Sequence, residues 1–311
     1  MRAGNSKKAE IAIFFAISYG CSLIFGIIIY LGIYKEVYNI SLFMMLTPAA
    51  SVALAKIRSS NNEKGIKQIY KIIIIAFFVS LFALLFRITG VIGEPLLKIF
   101  IIVGNGILSI IILLYAWMSC PRLDPSKNIK VGAKYILIYT VIMLIIVICM
   151  NFKGITFYTF FAPFASIVHF PLQCILTFGE EYGWRGYLQP LLQRRFGKRL
   201  GVIFVGVLWQ IWHIPFYFPI DNWNWTVQFA RFIYLPALSV AFGYVYMKTK
   251  NIWIISFMHF MTNIILTFLP DYKDTHYLPC IMILSCICFS LLFTKAYQND
   301  KNKQSEIDNS I

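Results

Sequence analysis

Apolar runs near residues 11–34, 40–57, 72–92, 96–118, 135–152, 156–178, 200–218, 228–247, 252–269 and 277–297 leave this 311-residue chain little room to be a soluble domain. Only 13% of its residues are charged and 59% are hydrophobic, whereas a soluble domain carries about 25% charge. Inside lipid every backbone N–H and C=O must be bonded within the protein, so only helices and closed barrels cross. Barrel strands alternate in polarity over about ten residues, and these runs do not alternate. The expected fold class is all-α: a polytopic transmembrane helical bundle of about eight to ten spans in the cell membrane, with some runs re-entrant or partial.

Basic residues supply an orientation. Arg2, Lys7 and Lys8 precede the first run, and Lys56, Arg58, Lys64, Lys67 and Lys71 lie between the second and third. Arg122, Lys127, Lys130 and Lys134 follow the fourth run, and Arg194, Arg195, Lys198 and Arg199 follow the sixth. Lys248, Lys250, Lys295, Lys301 and Lys303 continue the pattern, while the alternate loops at Gly93–Pro95 and Asp221–Trp225 are poor in Lys and Arg. The bias predicts an even number of spans with both termini cytoplasmic. The net charge of +15 therefore belongs to headgroup-facing segments and the lipid bilayer. No basic, aromatic-interleaved soluble surface exists for nucleic acid.

The first run exceeds a signal-peptide core and is not followed by a small-residue cleavage site, so it reads as a retained span. The seven cysteines are scattered through apolar sequence and read as core residues. Three segments are expected: N-terminal transmembrane helices of unassigned role at 1–134, a motif-bearing core at 135–297, and a polar cytoplasmic tail at 298–311. The stretch 119–134, with Pro121 and Pro125, divides the first two.

Into the second half fall three polar clusters at helical spacing. The first is Gly179-Glu180-Glu181-Tyr182-Gly183-Trp184-Arg185. A charged side chain at membrane depth costs roughly 2.5–3.5 kcal/mol on insertion scales, so three together must pair, line a wet cavity or do chemistry. Glu181 and Arg185 are i,i+4 and can pair, whereas Glu180 projects about 100° away and is left to face a cavity. Gly179 and Gly183 allow another helix to approach closely. The second cluster is Trp209-x-x-x-His213 with Pro215 beyond it, the indole walling the imidazole and the proline freeing a carbonyl. The third is His259-x-x-x-Asn263, one helical turn apart in an otherwise apolar run, which implies a shared polar partner.

A carboxylate, two imidazoles and a carboxamide on three helices suit hydrolysis. A glutamate in a dry site can act as general base on water, and His and Asn can donate to a tetrahedral oxyanion. Equally, Glu180, His213 and His259 can hold a divalent metal such as zinc that activates the water. His-Glu-x-x-His, Gly-x-Ser-x-Gly and the membrane aspartyl Gly-x-Gly-Asp signature are all missing from the sequence.

The ordered set Glu-Glu-x-x-x-Arg, aromatic-x-x-x-His, His-x-x-x-Asn over about residues 175–265 resembles the CPBP family, the CaaX-protease and bacteriocin-processing (Abi) intramembrane proteases that include type II CaaX prenyl proteases. The first motif continues as Arg185-Gly186-Tyr187-Leu188-Gln189-Pro190, similar to the family's usual extension. Trp209 stands where Phe is common. The resemblance implies an intramembrane endopeptidase, labelled a metallopeptidase, although a metal-independent glutamate mechanism is also argued for the family. Its substrate would be a membrane-associated protein or a small secreted peptide. By the resemblance, Glu180 activates the water aided by His213, and His259 and Asn263 stabilise the oxyanion. Glu181 and Arg185 hold the site and, with Trp209, support it or the substrate terminus. A non-proteolytic bacteriocin self-immunity or scaffold protein of the same fold, or a secondary transporter using the charges as a proton relay, are the alternative functions. Outside the motifs, His169 reads as structural or cavity-lining, and His276 as a loop residue. Arg87 and Arg231 read as single snorkelling cations, and Asp221, Asn222, Trp223 and Trp225 as an interfacial anchor.

Overall fold

The fold was obtained as a computed structural model that describes residues 2–58, 65–150, 155–220, 224–268 and 277–298. His276, Asp221, Asn222, Trp223 and the tail beyond Gln298 lie outside the described residues. Among those described there is no strand, and the helices are α1 (Arg2–Tyr30), α2 (Val37–Lys56), α3 (Ile66–Ile88), α4 (Glu94–Ser119), α5 (Ile129–Met150), α6 (Phe157–Glu181), α7 (Gln189–Ile220), α8 (Trp225–Thr249), α9 (Ile252–Ile265) and α10 (Tyr277–Ser290). Six stretches, in α1 to α5 and α8, are long and apolar enough to cross a bilayer, and shorter apolar helices run over Ile252–Phe268 and Tyr277–Phe293. Large apolar side chains such as Ile102, Trp117, Met118 and Val168 point outward, as a lipid-facing surface requires. The chain is a multi-pass helical membrane protein.

Local chemistry sets the helix ends that matter to the site. Asn224 caps α8 by accepting from the N–H groups of Thr226 and Val227 at 3.0 and 3.2 Å. Asn251 caps α9 through the Trp253 N–H at 2.9 Å. Its amide also donates to the carbonyls of Pro125 and Lys127 at 2.9 and 2.7 Å. The Trp253 indole donates to the Leu123 carbonyl at 2.7 Å, and the Asn128 amide donates to the Thr249 carbonyl at 2.8 Å. The proline-bearing stretch after α4 is thus fastened to the start of α9.

A π-helical segment, Tyr182–Leu188, joins α6 to α7. Wide i→i+5 turns of this kind recur at functional sites. The α7 helix is broken at Gly197, whose φ of 77° is the left-handed conformation that favours glycine.

The N-terminal helices form a wall of the motif-bearing half. Gly179 lies where a Cβ would come within 2.8 Å of the Met45 carbonyl on α2, and a Cβ at Gly183 would collide with Pro48. On α1, the Ser22 hydroxyl donates to the Trp212 carbonyl at 2.5 Å, and the Trp212 indole donates to the Ser18 carbonyl at 3.1 Å. Buried Trp184 packs edge-on against Phe14 and Trp212. These contacts fix the relative positions of α1, α2, α6 and α7 around the polar clusters.

Candidate active site

The three clusters meet. Glu181 Oε1 accepts from Arg185 Nη1 at 3.0 Å, with both side chains fully buried. The same oxygen lies 2.7 Å from His259 Nδ1. A carboxylate against Nδ1 makes that nitrogen the N–H donor and turns Nε2 outward. His259 Nε2 stands 4.0 Å from Glu180 Oε2, and Glu180 Oε1 accepts from the Trp209 indole N–H. The ring is closed by Arg185, whose guanidinium carbon sits 4.3 Å from the Trp209 ring centre and 5.1 Å from that of Phe242. Burial between aromatic faces suits a guanidinium, which is weakly hydrated and attracted to the ring quadrupole.

Helical arithmetic explains the division between the glutamates. One residue of helix separates them by about 100°. Glu181 turns inward to the buried Arg185, and Glu180, 2% exposed, turns to the wall of a cavity of about 630 Å³. That cavity is otherwise walled largely by apolar side chains, among them Leu42, Met45, Leu176, Phe260 and Ile264. A second cavity of about 320 Å³ is lined by Trp209, Arg231 and Tyr234. The two share His213, Tyr217, His259, Asn263 and Leu266, so they adjoin along that wall.

The other expected site residues fall around this wall. His213 is half-buried, with Nδ1 3.0 Å from the Trp209 carbonyl and its ring centre 5.7 Å from the Trp209 ring. Asn263 is exposed to the cavities, one turn from buried His259. The polar partner implied by the His259–Asn263 spacing is, for His259, the glutamate pair.

Sequence reasoning missed four features. Trp209 is a hydrogen-bond donor to Glu180 as well as an aromatic wall, a role the choice of Trp over Phe could have signalled. Tyr217, four residues beyond His213, lines both cavities. Arg231 is no single cation: its guanidinium carbon lies 4.4 Å from the Tyr217 ring centre. Arg87 likewise pairs with Glu94 at 3.0 Å and approaches the Tyr34 ring at 5.8 Å. His169, as expected, lines a cavity, one that shares Tyr38, Leu42, Gln173 and Leu176 with the larger cavity, and it approaches the Ala165 carbonyl at 2.7 Å through Nδ1.

Among the described residues, no three His, Cys, Asp or Glu side chains are grouped as metal ligands. The close donor pair is Glu180 with His259, one Glu180 oxygen is taken by Trp209, and His213 Nδ1 faces a backbone carbonyl. A catalytic zinc takes three protein ligands, and with Nδ1 of both histidines turned to an acceptor, Glu180 Oε2, His213 Nε2 and His259 Nε2 are the atoms that would hold one.

A membrane-embedded helical protein with a buried carboxylate–imidazole centre beside an apolar cavity is the class that fold and geometry define. A family model described as type II CAAX prenyl endopeptidase Rce1-like matches residues 152–265, the stretch that carries all three motifs. That stretch is therefore similar to the CaaX-protease family its motifs resemble. The CAAX prenyl protease 2 of Methanococcus maripaludis is 31% identical over 130 residues, which cover 39% of this chain and 46% of that protein. The match therefore spans about half the length of the curated relative. No solved structure matches the chain.

Proposed function

We propose that the protein is an intramembrane endopeptidase that hydrolyses a peptide bond of a membrane-associated protein or small secreted peptide, with Glu180 activating the attacking water. The observation that carries this reading is the 4.0 Å approach of Glu180 Oε2 to His259 Nε2 at a cavity wall. One water can reach both atoms at about 2.8 Å. Glu180 takes a proton from that water, and the remaining hydroxide adds to the scissile carbonyl carbon. His259 Nε2 is a second station for the proton and, when it carries one, an N–H donor to the oxyanion. The Asn263 amide is the other donor on that wall. His213, with Nδ1–H on the Trp209 carbonyl, offers Nε2 as an acceptor and aids proton transfer. Collapse of the tetrahedral intermediate breaks the C–N bond, and the proton returns to the leaving amine.

Glu181 and Arg185 are positioning residues in this scheme. They fix the His259 tautomer and ring angle from beneath, as a buried carboxylate does for a histidine in hydrolytic triads. The apolar lining of the larger cavity supports a substrate that arrives from lipid. By its name the curated relative is a prenyl protease, which favours a lipidated peptide over a soluble one here. The test is cleavage of membrane and secreted peptides by the purified protein in nanodiscs, read by mass spectrometry against Glu180→Gln. Products made by wild type and not by the folded variant support the reading; equal products from both end it.

A further inference from the structure

We propose that a groove between α5, α8 and α10 binds one anionic phospholipid, whose acyl chain fills the groove and whose phosphate meets Lys134 and Lys248. A cavity of about 330 Å³ lies there, with Met143, Val245, Leu284 and Cys288 on a buried floor. Ile138 and Ile287, which also line it, are 45% and 39% exposed. The groove therefore opens on the apolar surface that faces lipid. A single turn of helix, about 10 Å across and 5.4 Å tall, is too large for it. The occupant that fits is a flexible chain from the bilayer, not a partner helix.

The groove is graded in polarity as a phospholipid is. Tyr135, Tyr244 and Ser290 line one end of it, where α5 begins and α8 and α10 finish. The Tyr139 hydroxyl, deeper in, is taken by Thr262 at 2.7 Å. Lys134, in the second turn of α5, and Lys248, in the last turn of α8, stand exposed at the polar end. Lys248 Nζ lies 5.8 Å from the Tyr244 ring centre, and that ring packs edge-on against Tyr135 at 5.7 Å. The charges of both lysines reach the Tyr135 hydroxyl. No Asp or Glu lines the groove. Two cations above an apolar slot favour an anionic headgroup over a zwitterionic one.

The site lies behind the hydrolytic wall. Buried Met258 lines the groove and directly precedes His259 on α9. The Tyr139–Thr262 bond ties α5 to the same helix. A chain seated in the groove supplies packing that α5 and α10 leave unfilled behind α9, so bound lipid steadies the helix that carries His259. The inference does not depend on the endopeptidase reading, because binding and melting test it without turnover.

The probes are dioleoylphosphatidylglycerol and dioleoylphosphatidylcholine, titrated into the full chain in detergent and read by native mass spectrometry and thermal melting. The glycerol lipid is expected to be retained as one molecule per chain, about 30-fold tighter than the choline lipid, and to raise the melting temperature. Lys134→Gln with Lys248→Gln is expected to erase that preference. Lys7→Gln with Lys8→Gln removes the same charge from exposed positions on α1 and is expected to keep it. Ile138→Trp, which fills the groove from its rim, is expected to abolish retention, and Ile287→Trp serves if that variant fails to fold. Equal retention of the two lipids overturns the proposal, as does equal loss in the two double-lysine variants. Retention untouched by the tryptophan also overturns it, by placing the lipid elsewhere. Retention with no rise in melting temperature overturns the support of α9.

Discussion

His259 Nδ1 lies 2.7 Å from Glu181 Oε1, and that bond decides what the rest of the centre can do. It ties the third polar cluster to the first and aims Nε2 toward Glu180. It also gives the buried Glu181–Arg185 pair a purpose beyond its own stability. A buried ion pair is weak grounds for stability, because desolvation offsets much of the attraction. One that holds an imidazole in register has a functional reason to persist.

Breaking that pair from one side is expected to be severe. Glu181→Ala strands a buried guanidinium and should cost about 3–5 kcal/mol, read as a large fall in melting temperature in detergent. Glu181→Ala combined with Arg185→Met removes both charges and should recover part of the loss. A double variant no more stable than the single one would contradict the pairing.

Trp209→Phe keeps the ring and removes the N–H that Glu180 Oε1 accepts. Leaving a buried acceptor unsatisfied costs about 1–3 kcal/mol. Thermal unfolding should register that drop, and Glu180→Gln should shrink it, since the two residues share the bond. Equal Trp209→Phe effects in both backgrounds would disconnect the indole from the carboxylate.

Much of this centre is legible in sequence. The spacing of Glu180, Glu181 and Arg185 foretells the pair and its partition, because i,i+4 geometry is local, and the two histidine motifs announce themselves as polar residues in apolar runs. Gly179 and Gly183 foretell a close helix approach, but the partner, α2 at Met45 and Pro48, is a long-range contact that no spacing encodes. The π segment at Tyr182–Leu188 leaves no periodic trace. Residues 119–134 read as a divider, yet Asn251 and Trp253 fasten them to α9 through backbone carbonyls, which are invisible in a side-chain pattern. Arg231 read as snorkelling because its aromatic partner, Tyr217, lies on another helix.

Gly183→Ala should destabilise the protein by about 1–3 kcal/mol, since the added methyl meets Pro48, whose ring and backbone have little freedom to shift. Loss of activity should then track loss of folded protein on gel filtration. Activity lost from a fully stable variant would point instead to a direct role for this glycine.

The proposed role of Glu180 as the base itself calls for no stoichiometric metal. Metal content of the purified protein by mass spectrometry should be well below one ion per chain, and chelation by phenanthroline should leave the cleavage rate unchanged. A tightly bound zinc lost in Glu180→Gln would instead assign Glu180 and His259 to a metal.

The central claim is that Glu180 activates the water. Its most direct test is the single-turnover cleavage rate of Glu180→Gln in nanodiscs, with melting temperature and gel filtration confirming the fold. A rate at least about 100-fold below wild type, the usual worth of a general base, is the expected result. A folded Glu180→Gln protein that cleaves at the wild-type rate would contradict it.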